Sequence, residues 1–252
     1  MSIHRGWILR SLSGVTMAVV AFAGLGRAAG RGAPDVQWFG SFKEIIHEGR
    51  IEGRTRLATA MVRPHAYALG AMARLYGEFV VLDGKVFLSR PDDRGGVVST
   101  TSVTGNDSVA LMVFAHVAAW SDLRVSRAIP LVALQDTVAA CAAKLGLPRG
   151  GPLPFLIEGA VSNLHWHVAD GRNLPPGPSS HEAHTKAAIR GERDHVSATL
   201  LGFYSDHHTG IFLHHDINVH VHVVLPEERL AGHVDEVTVE PGATLRMYRA
   251  RK

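Results

Sequence analysis

The segment Asn218-Val219-His220-Val221-His222-Val223-Val224 constrains the fold more than any other part of this 252-residue chain. Val219, Val221 and Val223 alternate with Asn218, His220, His222 and Val224, the period-two signature of a half-buried strand. His220 and His222 then share a face, with Cα atoms about 6.6 Å apart at strand rise. Imidazoles so spaced can reach one ion at a ligand distance of about 2.0–2.1 Å. A third histidine follows from pairing. Pro226-Glu227-Glu228-Arg229 is turn-like, and His233-Val234-Asp235-Glu236-Val237-Thr238-Val239 reads as the return strand. A hairpin centred between Glu227 and Glu228 sets His222 directly opposite His233, with Cβ atoms about 4.5–5.5 Å apart. No Asn-Gly pair pins that register. Three histidines with the fourth position open describe a catalytic rather than a structural zinc. The competing reading is chance: 12 of the 16 histidines lie between His165 and His233, so surface histidines or adventitious metal binding also give close spacings.

The first 29 residues read as an export signal peptide. Arg5 and Arg10 form a basic start, and Val15 to Leu25 is an apolar run too short to span a bilayer. Cleavage falls either in Gly26-Arg27-Ala28-Ala29-Gly30 or near Ala21-Phe22-Ala23. No Arg-Arg pair is present, which points to the general secretory route and a periplasmic or extracellular protein, without stable membrane insertion once the leader is gone. An uncleaved anchoring N-terminus is the alternative. Three of the 26 basic residues (Arg5, Arg10, Arg27) and none of the 23 acidic ones lie in this leader, so the rest balances 23 against 23. A nucleic-acid-binding surface is not supported. Cys141 is the only cysteine, which forbids an intramolecular disulfide and any cysteine-rich metal site. It falls in an apolar helical pattern and is expected to be a buried core residue.

Beyond the leader, the pattern predicts an α/β (α+β) fold of two sheet-based layers with few short helices. Residues 30–147 form an N-terminal α/β sheet domain, and residues 148–252 a β-rich metal-binding domain of mostly antiparallel strands. Val36 to Gly40 is a strand, Ser41-Phe42-Lys43-Glu44 a capping box, and Gly49 the close of a short helix. Leu57 to Val62 suggests another short helix. Phe79 to Leu88 is two apolar runs around Asp83-Gly84, a strong hairpin signal. Ser108 to Trp120 is either strand or apolar helix, and periodicity does not decide. Pro130 to Leu145 is a helix stopped by Gly146, and Leu147 to Pro152 a boundary. Strands follow at Phe155–Val161, Leu164–Val168, Ser197–Ser205, Asn218–Leu225 and Val234–Glu240.

Tyr67 to Gly84, containing Gly70, Leu75, Gly77-Glu78 and Asp83-Gly84, resembles the α-acetolactate decarboxylase family segment of the form GxxxxLxGExxxxDG. Gly202-Phe203-Tyr204, the His-x-His pair and Gly232-His233 resemble the same family's metal strands, and the similarity runs through most of residues 36–240. The resemblance implies a zinc enzyme that converts 2-acetolactate, a 2-hydroxy-3-oxo acid, to acetoin and carbon dioxide, with His220, His222 and His233 on Zn2+ and Glu78 as the catalytic carboxyl group. It also implies a possible homodimer. Such a substrate can chelate zinc, loss of carbon dioxide leaves an enediolate, and a carboxylic acid can then protonate the carbon. Taken without the resemblance, Glu78 reads as a solvated carboxylate at a strand edge.

The chain also departs from the pattern. Leu156 stands ahead of Ile157-Glu158-Gly159 where the family has a carboxylate-binding arginine. Its threonine-bearing GTFN becomes Gly70-Ala71-Met72-Ala73, and its C-terminal glutamate has no counterpart. Replacements could come from His214-His215-Asp216, from His165 and His167, or from His181 and His184, each equally readable as surface or packing pairs. Arg74 or Arg193 could hold a carboxylate. Two further functions stay open: a divergent member acting on another 2-oxo or 3-oxo acid, and a noncatalytic exported metal-binding protein.

Overall fold

A computed structural model describes residues 25–28, 34–148 and 151–250. Of the expected leader only Leu25–Ala28 lies among them; the rest of residues 1–29 lies outside.

The first sheet contains β1 (Leu25–Ala28), β2 (Val36–Phe39), β3 (Thr55–Arg56), β4 (Ala66–Met72), β5 (Glu78–Leu82), β6 (Lys85–Pro91), β7 (Val97–Thr100) and β8 (Ser108–His116). Their order is β1-β2-β8-β4-β5-β6-β7, with β3 also on β8. The apolar run left open in the sequence is therefore strand. Asp83 and Gly84 take φ values of 50° and 82°, the left-handed pair that closes a tight hairpin between β5 and β6. Gly70 is needed for a different reason: a Cβ there would stand 2.0 Å from the Leu111 carbonyl oxygen. Only a residue without one lets β4 and β8 approach as they do.

The second sheet contains β9 (Trp120–Arg124), β10 (Ile129–Pro130), β11 (Leu153–Val168), β12 (Ile189–Tyr204), β13 (Val219–Leu225), β14 (Leu230–Val239) and β15 (Thr244–Tyr248). All pairings are antiparallel. β12 covers one edge of β11, while β14 and β15 share the other. Since β12 pairs with β13 and β13 with β14, strands β11 to β14 close into a ring. A closed ring leaves no free edge along the strands that carry the histidines. β9 and β10 join this sheet, so the sheets divide between β8 and β9, ahead of the break at Leu147–Pro152 read from the sequence.

Among the described residues three α-helices complete the fold. α1 (Phe42–Glu48) starts as its capping box predicts, with Ser41 Oγ accepting from the Glu44 amide at 3.1 Å, and ends at left-handed Gly49. α2 (Leu131–Lys144) buries Leu134, Val138 and Ala142. Cys141 is half-buried beside that stripe, not within the core as its apolar neighbours suggested. α3 (His181–Ala187) is capped by Ser180.

One apolar core lies between the sheets. Leu69, Ala71, Val80, Leu111 and Val113 of the first meet Phe155, Leu200, Val221 and Val223 of the second. Phe79, Val81, Leu88 and Met112 point away, where Leu57 and Ala60 of a single 3₁₀ turn (Leu57–Met61) cover them. The Ala231 amide donates to Ser89 Oγ at 2.8 Å, a hydrogen bond between the sheets at a completely buried serine.

Candidate metal centre

Every residue of β13 is buried, including His220 and His222 at 2% and 1% exposure. β14 pairs with β13 in the register that the hairpin arithmetic required, with His222 opposite His233. The three ring centroids stand 4.9, 5.1 and 5.4 Å apart, a nearly regular triangle. Nε2 of His220 and Nε2 of His222 are 3.1 Å apart. Two nitrogens each about 2.05 Å from a tetrahedral ion would stand about 3.3 Å apart, so this spacing fits a shared cation.

Burial, followed by the neighbouring imidazoles, holds the His220 and His222 pKa values well below the ordinary 6.5. Burial also takes His233 down to about 4. All three rings are neutral at pH 7, the form in which imidazole ligates a metal. Their Nδ1 atoms are buried, that of His233 facing Asp235 at 3.7 Å.

Glu78 opens β5 and points, like Val80, toward the second sheet. It is 5% exposed, and its Oε2 lies 3.8 Å from Nε2 of His222. The expectation of a solvated edge carboxylate does not hold. Burial pushes its pKa well above the ordinary carboxylate value; the Ala169 backbone opposes this and the Asp235 charge adds to it. Burial thus favours the protonated form of this carboxyl group.

Two further histidines enter the cluster. His214, on the loop between β12 and β13, brings its Nε2 to 3.2 Å from that of His233. His167, near the end of β11, stacks on His233 at 4.6 Å and pairs through Nδ1 with Asp235 Oδ1 at 2.8 Å. His167, His233 and Asp235 make a second group with ligand atoms within 4.8 Å of one another. The two groups share His233, whose Nδ1 faces Asp235 at 3.7 Å while its Nε2 faces His214. Arg190 also holds Asp235, at 3.0 Å. His167 was visible in the sequence only as half of a His-x-His pair, because its proximity to His233 depends on β11 meeting β14 across a bulge.

The cavity above the cluster has an apolar wall of Phe42, Ile45, Ala71, Leu75 and Leu111, with His181, His184 and Thr185 of α3 beside it. A wider outer cavity shares His167, His181, His214 and His233 and adds Lys43, Gln135 and Asp216. No arginine or lysine is among the described residues lining the inner cavity. Arg193 pairs with Glu228 at the surface, Arg74 lies in a turn outside the lining, and Leu156 is buried within β11. His165 faces Glu236 across an exposed stretch of strand.

A family model described as alpha-acetolactate decarboxylase matches residues 41–251. The chain belongs to that family. Its fold is that of acetolactate decarboxylase from Bacillus subtilis subspecies spizizenii, with a TM-score of 0.67, 16% identity and 85% of each chain covered. The enzyme from Bacillus subtilis strain 168 gives 0.65 at 16% identity, again with 85% of each chain covered. A Staphylococcus aureus protein of unknown function similar to alpha-acetolactate decarboxylase gives 0.63 at 14%, with the same coverage. No curated protein matches the chain in sequence. His220, His222, His233, Glu78 and Leu156 all lie within the matched residues.

Proposed function

We propose that the protein is a zinc-dependent carbon–carbon lyase that converts 2-acetolactate to acetoin and carbon dioxide. The observation that carries this reading is the meeting of His220, His222 and His233 with the buried carboxyl group of Glu78 in a single cavity. His220, His222 and His233 would hold the ion. Asp235, accepting from His167 and facing Nδ1 of His233, would orient that ring from behind. The ion would supply Lewis-acid stabilisation of the negative charge that develops on the substrate's oxygens.

The chain's own residues supply the rest. The C–C bond to the carboxylate breaks, its electron pair moves toward the β-ketone, and carbon dioxide leaves an enediolate. Glu78, whose protonated form burial favours, would give its proton to the former carboxylate-bearing carbon, and the product is acetoin. The apolar wall of Ile45, Ala71, Leu75 and Leu111 suits the methyl groups and excludes water from the reacting carbon. The burial of Glu78 favours an enzyme over a noncatalytic metal binder, which has no use for a desolvated acid.

The absence of a cationic side chain from the inner lining favours a second reading on the same scaffold, another 2-oxo or 3-oxo acid. Export through residues 1–29 and a homodimer belong to the proposal as well; N-terminal sequencing of exported protein and sedimentation test them. The central test follows carbon dioxide and acetoin release from racemic acetolactate by zinc-loaded protein. Turnover that falls at least about 100-fold in Glu78→Gln, with zinc retained, supports the reading. A protein that holds one zinc but does not turn over acetolactate supports the other substrate class.

A further inference from the structure

We propose that His214 is a fourth nitrogen donor to the metal, closing the site at rest on the side opposite Glu78. This rests on the metal reading above but concerns a residue outside the family pattern. The geometry carries it. His214 Nε2 stands 3.2 Å from His233 Nε2, much as His220 stands 3.1 Å from His222. The His214 ring lies 5.2 Å from that of His233 at 89° and 6.1 Å from that of His220 at 79°. The His214 and His233 rings thus stand edge-on with their Nε2 atoms converging. Glu78 is beside His222, so the two newcomers reach the triangle from different corners.

The loop that presents His214 is built to hold it there. Phe212 and Leu213 are fully buried. The amides of Phe42 and Lys43, at the start of α1, donate to the carbonyls of Ile211 and Gly210, each at 2.8 Å. Phe42 in turn packs on the His214 ring at 4.1 Å. The loop is therefore tied to α1, whose Phe42 and Ile45 form part of the cavity wall.

His214 would thus add a neutral donor from an element other than β13 and β14. Four nitrogens leave no coordination site free at rest, so a chelating substrate must displace His214 or expand the coordination number. The displaced imidazole would then stand at the cavity wall that lacks an arginine.

Metal binding tests this without any turnover. Zinc affinity by chelator competition and the visible spectrum of the cobalt-substituted protein are compared for wild type, His214→Ala and His215→Ala. A fourth ligand predicts one ion per chain in all three, and in His214→Ala an affinity lower by at least about ten-fold, the smaller end of what losing even an outer-shell partner costs. It also predicts a changed cobalt spectrum as water replaces a nitrogen. His215→Ala, one residue away on the exposed loop, should match wild type. Unchanged affinity and an unchanged cobalt spectrum in a folded His214→Ala protein would overturn the proposal. Loss of all metal from wild type would instead refute the metal reading beneath it.

Discussion

At the scale of single residues, the site is a contest between solvation and use. Burial lowers the pKa of His214, His220, His222 and His233 and raises that of Glu78, so it favours the uncharged form of each. This has a consequence for the metal-free protein. The folded state holds His233 down at about 4, against an ordinary 6.5. Below pH 6.5 the unfolded chain takes up a proton that the folded chain refuses. The stability that His233 contributes is therefore fully present above pH 6.5 and is lost as the pH falls from 6.5 toward about 4. The loss from this residue is on the order of 1 kcal/mol per pH unit. Denaturant melts of metal-free protein across that range check it; a flat profile would show that His233 is already hydrated. His233→Ala should abolish stoichiometric zinc, whereas a protein with scattered surface sites would lose only a fraction, as metal analysis after dialysis would reveal.

At the scale of elements, glycine and register place the chemistry. In Gly70→Ala a new methyl group meets backbone at Leu111, which has no rotamer to yield. The expected cost is about 1–3 kcal/mol, read as a lower melting temperature. A fully tolerated substitution would mean that β4 and β8 lie farther apart. The same scale explains what the sequence made legible. The β13–β14 hairpin was readable because period-two alternation and a four-residue turn are local, and together they place His222 opposite His233. The capping box of α1 and the Asp83-Gly84 turn were readable for the same reason. His214 and His167 were visible only as candidates among many histidines, since their positions depend on a loop tied to α1 and on a bulged pairing of β11 with β14. Nor did local pattern reveal that β9 and β10 cross to the second sheet, because sheet membership is decided by long-range pairing.

At the scale of the whole molecule, the candidate site belongs to neither sheet alone. Glu78 comes from the first and the histidines from the second, so their 3.8 Å approach depends on how the layers dock. Ser89 sits across from Glu78 in the β5–β6 register and accepts the Ala231 amide of β14. Ser89→Ala leaves that buried amide without a partner, a loss of about 1–3 kcal/mol in unfolding free energy. It should also lower turnover more than zinc affinity, because His220, His222 and His233 lie on the second sheet while the acid lies on the first. Equal losses of both would mean that the histidine cluster itself had shifted. The most direct test of the whole account is a crystal structure of the zinc-loaded protein with anomalous data at the zinc edge. The account predicts one peak among the Nε2 atoms of His220, His222 and His233, beside Glu78. A peak held by His167, His233 and Asp235 instead, or no peak at all, would contradict it.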